Sequence, residues 1–126
     1  MGLDMYAFST SKKIDVETDF KLADDDEREL IHQWRKHPNL HGWFKKLYFK
    51  KGGKDSEFNI NNVIINNDDL DKLEDAILNN KLPHTEGFFF GRSSLDDDER
   101  QDDLDFIKTA REEIKAGRSV YYTSWW

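Results

Sequence analysis

Apolar residues recur at helical spacing in several stretches of this chain. The clearest stretch has its apolar residues at positions i, i+3, i+4, i+7 and i+8, which form one face of a helix: Leu40, Trp43, Phe44, Leu47 and Tyr48. Asn39 stands where a capping side chain is expected, and the pattern ends near Gly52. The spacing therefore predicts a helix that Asn39 caps.

Two further stretches have the same period and begin with acids, which favour the positive end of a helix. One starts at Asn67 or Asp68 and ends before Pro83; its inward residues are Leu70, Leu73, Ala76 and Ile77. The other runs from Asp96 to about Gly117; its inward residues are Leu104, Phe106, Ile107, Ala110 and Ile114. A fourth helix is predicted from Asp24 or Asp25 to Pro38, with Leu30, Ile31 and Trp34 facing inward.

Strands are predicted where apolar and polar residues alternate or where a short apolar run lies between turn residues. These segments are residues 3–8, 58–65, 87–91 and 119–126, and residues 9–21 are interpreted as a loop. The element order is then β-α-α-β-α-β-α-β. We predict an α+β fold, a four-stranded mixed sheet with four helices packed on it, in a single domain over residues 1–126.

Composition narrows the functional classes. The 126 residues contain no cysteine, which excludes disulfides and thiolate metal sites, and the net charge is −7, which argues against direct binding of nucleic acid. We expect no secretory leader, because the start lacks a basic stretch followed by an apolar run, and no apolar run is long enough for a bilayer. We expect a cytoplasmic protein that contacts no membrane and needs no cofactor.

The acids are clustered in four runs, residues 24–27, 68–69, 96–99 and 102–103. Three of these runs lie at predicted helix starts, so capping is the simplest interpretation. Bound Mg²⁺ or Ca²⁺ is an alternative, although the runs lack the spacing of a calcium-binding loop. A second alternative is that the spaced carboxylates imitate the phosphates of DNA.

The densest polar group lies around Pro38, where Arg35, Lys36, Asn39 and His41 meet a predicted helix start. A guanidinium, an ammonium, an amide and an imidazole at free backbone N–H groups form a natural anion site. Tyr122 and Ser124, on one face of the last predicted strand, add hydroxyls if that strand lies adjacent. The alternative is a polar cap that locks the corner between two helices.

No catalytic or metal-binding motif is present. His37 and His41 are four residues apart, but Pro38 separates them, so we predict no metal site; a zinc site that adds His32 or His84 stays an alternative. No serine stands in a Gly-x-Ser-x-Gly turn, and a Ser-His-acid set assembled in space is left open. Whether the protein is an enzyme is therefore undecided, and the missing motifs favour a non-enzymatic role.

Several segments together resemble a family of small uncharacterised phage and prophage proteins. They are the start Met-Gly-Leu-Asp-Met-Tyr, the centre Trp34-Arg35-Lys36 with Asn39, His41 and Trp43-Phe44, Leu-Pro followed by Gly-Phe-Phe-Phe-Gly, and Tyr-Tyr-Thr-Ser-Trp near the end. The resemblance implies a phage-type accessory protein in the cytoplasm of an infected or lysogenic host cell. It implies no activity.

Three functional hypotheses follow. The first, which we prefer, is a non-enzymatic accessory protein that binds a host or phage protein through an acidic or aromatic surface. The second is a protein that binds, or an enzyme that acts on, a phosphorylated metabolite or nucleotide at the corner from Arg35 to His41. The third is a homo-oligomer in which edge strands pair.

Overall fold

The computed structural model describes residues 2–87, 91, 93, 94 and 96–126. Within these residues four strands and three helices follow one another in the order β-β-α-β-α-α-β. The elements are β1 (Asp4–Thr10), β2 (Glu29–Arg35), α1 (Pro38–Lys50), β3 (Val63–Ile65), α2 (Asn67–Leu78), α3 (Asp97–Lys115) and β4 (Ser119–Trp125). The predicted α+β class and four-stranded sheet are confirmed, whereas four helices were expected and the described residues form three.

Every strand pair in the sheet is antiparallel, and the strand order is β2-β1-β4-β3. The predicted mixed sheet is wrong, because a parallel pair needs strands that run in the same direction and the neighbouring strands described here all run in opposite directions. The two central strands instead come from the two ends of the chain: Asp4 lies opposite Trp125, and Thr10 lies opposite Ser119.

The helix predicted between Asp24 and Pro38 is wrong, because residues Glu29–Arg35 form strand β2. The register between β1 and β2 shifts at Ala7, where an extra residue on β2 places Leu30 opposite Phe8 and His32 opposite Ala7. This bulge interrupts the alternation of apolar and polar residues along β2. The spacing of the apolar residues in the sequence therefore resembles that of a helix. The acidic run before the strand consequently begins no helix; Asp26 instead accepts hydrogen bonds from Lys12 and from the Ala23 amide.

The other three predicted helices are confirmed, with corrected caps. The N-cap of α1 is His37, and Pro38 is the first helical residue, so Asn39 lies inside the helix and does not cap it. At α2 the cap is Asn66, whose side chain accepts from the Asp69 amide while Asp69 accepts from the Asn66 amide. At α3 the Asp96 side chain accepts from the Glu99 amide, as the acidic run predicts.

The strand predicted over residues 58–65 is shorter than expected and covers only Val63–Ile65. Phe58 and Ile60 have φ values of +45° and +62°. A left-handed backbone cannot continue a strand, although both residue types favour one. The strand predicted over residues 87–91 falls on residues 88–90, which lie outside the described part of the chain.

The helices pack on one face of the sheet, and this face holds the core. On β1 it carries Met5 and Ala7, which the register places beside Trp34 on β2 and Tyr122 on β4. The Phe44 ring of α1 stacks on Tyr122 with ring centroids 4.0 Å apart. The opposite face carries Tyr6, Phe8, Tyr121 and Trp125, and Phe20 from the segment before β2 packs edge-on against Tyr121. We call this second surface the open face.

Candidate functional site

The six residues predicted to form an anion site lie on two sides of the sheet. Arg35 lies opposite Asp4 on the open face, where its side chain is 64% exposed and its Nε is 3.8 Å from the Asp4 carboxylate. Lys36 is also exposed, and its side chain lies against Gly91. Asn39 and His41 are buried beneath the helical face. The structure thus separates the two cations from the buried polar groups, and anion binding by these residues stays a prediction.

The buried half of the predicted group is a chain of hydrogen-bonding side chains in the core. Nδ1 of His41 lies 2.7 Å from the hydroxyl of Tyr122, and the hydroxyl of Ser124 donates to the Phe58 carbonyl at 3.5 Å. Burial, assisted by the nearby Lys45 charge, lowers the pKa of His41 to about 3. Burial also raises the pKa of Tyr122 well above its ordinary value. Both side chains are therefore neutral at physiological pH.

A second buried network lies at the start of α1. Nδ1 of His37 is 2.8 Å from the hydroxyl of Ser93, and its Nε2 is 2.9 Å from Oδ2 of Asp103. The indole N–H of Trp34 donates to Oδ1 of Asp103 at 3.0 Å. The amide of Asn39 donates to the Ser93 hydroxyl at 3.1 Å. Serine, histidine and aspartate are thus hydrogen-bonded in the order of a catalytic triad, but with the ring nitrogens exchanged, because the serine faces Nδ1 and the aspartate faces Nε2.

The burial of this network argues for a structural role. Ser93, His37 and Asp103 are 4%, 2% and 2% exposed, so a substrate has no access to the hydroxyl in this conformation. The hydroxyl already accepts the Asn39 amide proton, one of the donors that a helix start leaves unpaired. Burial raises the pKa of Asp103, and the hydrogen bonds from His37 and Trp34 oppose that rise. We interpret the network as the link that holds β2, α1 and α3 together.

The segment that follows α2 is attached to α1 by a hydrogen bond and by a close packing contact. The Thr85 amide donates to Oδ1 of Asn39 at 3.0 Å. The Thr85 side chain packs so closely on Gly42 that a Cβ at that glycine would lie 1.9 Å from the Thr85 hydroxyl oxygen. Position 42 therefore requires glycine, because the Thr85 side chain approaches it closely. The Asn39 side chain is oriented by the Thr85 amide, a backbone donor from outside its own helix.

A cavity of about 510 Å³ opens beside this contact. It lies between the start of α1, the end of α2 and the first turns of α3, and its walls are both apolar and charged. Among the described residues, the lining includes Asn39, Ile77, Asn80, Leu82, Glu99 and Asp103. The sequence did not reveal this site, because its walls come from segments far apart along the chain.

At the end of β4 the open face carries an exposed tryptophan. Trp125 is 65% exposed, and Ile60, whose amide donates to the Ser124 carbonyl at 2.8 Å, is 66% exposed. The last residue is fixed: the Trp126 amide donates to Oδ1 of Asn59 at 3.0 Å, and Nδ2 of Asn59 donates to the Trp126 carbonyl at 2.8 Å. Trp125 is therefore held in place while its indole remains in solvent.

Comparisons with known proteins give no relative: no family model, curated protein or solved structure matches the chain. Within the described residues, no three histidine or acidic side chains are grouped so that they would hold a metal ion. The helices described here are all too short or too polar to cross a membrane.

Proposed function

We propose that this chain is a non-enzymatic accessory protein that binds another protein through the open face of its sheet. The resemblance to phage and prophage proteins makes a host or phage protein the expected partner. The observation that carries the proposal is the exposed indole of Trp125 on a strand whose end is fixed by Asn59. Because the backbone at this end of β4 is fixed, only the side-chain torsions of Trp125 lose freedom when a partner covers it.

The residues around Trp125 have the composition of an interaction centre. We define the open-face patch as Tyr6, Arg35 and Trp125, and Ile60, whose amide donates to the Ser124 carbonyl, is an exposed apolar residue next to β4. Arg35, Asp4 and Trp125 form one row across the sheet, and Tyr6 is the next residue on the same face of β1. Tryptophan, tyrosine and arginine are the side chains that contribute most often to the energetic centres of protein interfaces.

The backbone of Ile60 supports the same proposal. Its φ of +62° is a left-handed conformation that β-branched residues rarely adopt, and its apolar side chain is left in solvent. Strained backbone of this kind costs about 1–3 kcal/mol and is found most often at functional sites. A partner that covers Ile60 would recover part of this cost as buried apolar area.

The experiment places a photo-crosslinking amino acid at position 125 in cells of the organism that encodes the protein. Leu78, which is 53% exposed at the end of α2, is the matched control position. We expect one protein to crosslink at position 125 and not at position 78. With that protein purified, Trp125→Ala should weaken binding about 30-fold, the loss typical of an interface centre. Leu78→Ala should bind like the wild type.

Equal crosslinking at the two positions, or none at position 125, contradicts the proposal. So does a purified partner that binds Trp125→Ala as tightly as the wild type. If the crosslinked protein is a second copy of this chain, self-association replaces binding of a different protein. Trp125→Ala should leave the free energy of unfolding within about 0.5 kcal/mol of wild type, so misfolding does not confuse the result.

A further inference from the structure

The two edges of the sheet differ in whether the chain covers them. β3 forms one edge and is covered: the Ile64 amide donates to the Glu17 carbonyl at 2.8 Å, and the Ile64 carbonyl accepts from Nζ of Lys51 at 2.7 Å. Thr18 also forms an antiparallel bridge with Val63. Folded proteins protect edge strands in such ways, because unpaired backbone groups pair with other chains. At the other edge, no described segment pairs with the outer side of β2.

The backbone groups of β2 that point outward follow from its pairing with β1. The Lys36 amide donates to the Leu3 carbonyl at 2.9 Å, just beyond the end of the strand. In an antiparallel pair, residues that hydrogen-bond to the neighbouring strand alternate with residues that point away from it. Trp34 therefore bonds to β1, and the backbone N–H and C=O groups of Gln33 and Arg35 point outward. None of the described residues forms a hydrogen bond with these outward groups.

The side chains beside this edge are exposed and differ in chemistry. On the open face β2 carries Leu30, Gln33 and Arg35, of which Leu30 is 47% exposed. The distance of 3.8 Å between Nε of Arg35 and the Asp4 carboxylate is too long for a hydrogen bond, so the guanidinium keeps donors for another carboxylate. A strand added to this edge would meet an apolar residue at one end and a cation at the other.

The inner neighbour β1 already shows which residues suit the open face of β2. Asp4 lies opposite Arg35, and Phe8 lies opposite Leu30. On β1, which runs antiparallel to β2, the acid therefore precedes the apolar residue by four positions. The outer side of β2 offers the same two side chains to a second strand. A segment with a carboxylate followed four positions later by an apolar residue matches this edge in charge and polarity.

The bulge and the charge of β2 restrict which strand can pair with it. The register with β1 passes over Ile31, and bulges and charged residues both discourage unspecific pairing at an edge. A segment without the acid would leave the Arg35 guanidinium unmatched, whereas a segment with it gains an ion pair. The same features that prevent aggregation thus select one kind of partner segment.

We propose that the protein partner adds an extended segment to the outer edge of β2 as a fifth strand, antiparallel to β2, with a carboxylate at Arg35 and an apolar side chain at Leu30. Backbone hydrogen bonds at Gln33 and Arg35 supply affinity, and the two side-chain contacts supply specificity. This inference rests on the proposed function, because it names how the partner of the open face is held. Arg35 belongs to both surfaces, so the added strand continues directly from the open-face patch.

Amide hydrogen exchange on the purified chain tests whether the edge is free. We expect the amides of Gln33 and Arg35 to exchange at least about 100-fold faster than the amide of Trp34, which is bonded to β1. Protection of Gln33 and Arg35 equal to that of Trp34 overturns the proposal, because the edge would already be paired.

Photo-crosslinking amino acids at positions 30 and 35, introduced one at a time in cells, test the added strand. We expect both positions to capture the protein that position 125 captures, within one segment of it. Position 30 should crosslink about four residues later in that segment than position 35, as antiparallel pairing requires. Position 112, an exposed residue on α3, is the control and should capture no such segment.

Each other outcome overturns a stated part. Crosslinks in the reverse order, or to distant parts of the partner, overturn the antiparallel strand. A second copy of this chain at positions 30 and 35 replaces the partner segment by self-association. Capture at position 125 alone overturns this inference and leaves the proposed function in place. An ordered segment captured at positions 30 and 35, with nothing at position 125, overturns binding through the open face and leaves the added strand.

A pair of variants at one position tests the backbone hydrogen bonds. Gln33→Pro removes an N–H that points outward, a position at which an edge strand tolerates proline, whereas Gln33→Ala keeps it. With the purified partner, we expect Gln33→Pro to bind about tenfold more weakly and Gln33→Ala within about twofold of the wild type. Slow exchange of the Trp34 amide reports that each variant is folded. A folded Gln33→Pro variant that binds like Gln33→Ala overturns the proposal, and if Gln33→Pro does not fold, the order of the crosslinks decides.

Discussion

Trp34 and Asp103 are joined by a buried hydrogen bond of 3.0 Å between the indole N–H and a carboxylate oxygen. It connects the edge strand β2 to the first half of α3 across 69 residues of sequence. Because the second oxygen of Asp103 pairs with His37 at the start of α1, this carboxylate joins three elements. A buried carboxylate is tolerated only when such donors surround it.

Removal of the indole donor should therefore destabilise the fold. We expect Trp34→Phe to lower the free energy of unfolding by about 2–3 kcal/mol, because Asp103 loses a donor in a buried position. Urea unfolding measures the change. Trp43→Phe is the matched control, since Trp43 is half-buried and its indole donates to none of the described residues. Equal losses in the two variants would show that the ring volume matters and the hydrogen bond does not.

Lys51 and Asp69 form a buried ion pair that connects the end of α1 to the start of α2. Their side chains are each 8% exposed, and Lys51 also donates to the Ile64 carbonyl at 2.7 Å. Lys51→Met would leave Asp69 without its counter-ion. We expect a loss of about 3 kcal/mol in the free energy of unfolding, because a lone buried charge is costly.

The exposed Lys46, on the same helix, supplies the control for this ion pair. Lys46→Met should change the free energy of unfolding by less than about 0.5 kcal/mol. In the double variant Lys51→Met/Asp69→Asn the remaining partner is uncharged, so part of the loss should be recovered. If the double variant is no more stable than Lys51→Met, the unpaired charge of Asp69 is not the cause of the lost unfolding free energy.

Sequence patterns predict the helices of this fold well because the signals are local. The apolar spacing of Leu40 to Tyr48 and the acidic first turns of α2 and α3 depend only on residues within each helix. The strand β2 was missed because its identity depends on pairing with β1 and on the bulge opposite Ala7. Long-range pairing overrides local propensity in such segments.

The buried hydrogen-bond networks join residues that lie far apart in the sequence, so local patterns do not predict them. Ser93 meets His37 across 56 residues, and Asp103 meets it across 66. One local signal was available: Asp103 stands three and four residues before Phe106 and Ile107 on the apolar face of α3. A carboxylate within an apolar stripe must find donors when the helix is buried. That position identifies Asp103 as a network member, although not its partners.

His41 should make the stability of the protein depend on acid. Its pKa lies near 3 in the folded chain and near 6.5 in the unfolded chain, because burial and the Lys45 charge disfavour the imidazolium. The unfolded state therefore takes up the proton first as the pH falls. The contribution of neutral His41 to stability is complete above about pH 6.5 and is lost progressively toward pH 3, on the order of 5 kcal/mol in all.

Urea unfolding between about pH 7 and pH 4 measures this dependence as the slope of the unfolding free energy against pH. His41→Phe should be less stable at neutral pH, since the Tyr122 hydroxyl loses its partner, but its slope should be shallower by up to one proton. The exposed His84, changed to Gln, should keep the wild-type slope, because its side chain is 78% exposed. A His41→Phe slope equal to that of the wild type would mean that other groups cause the acid sensitivity.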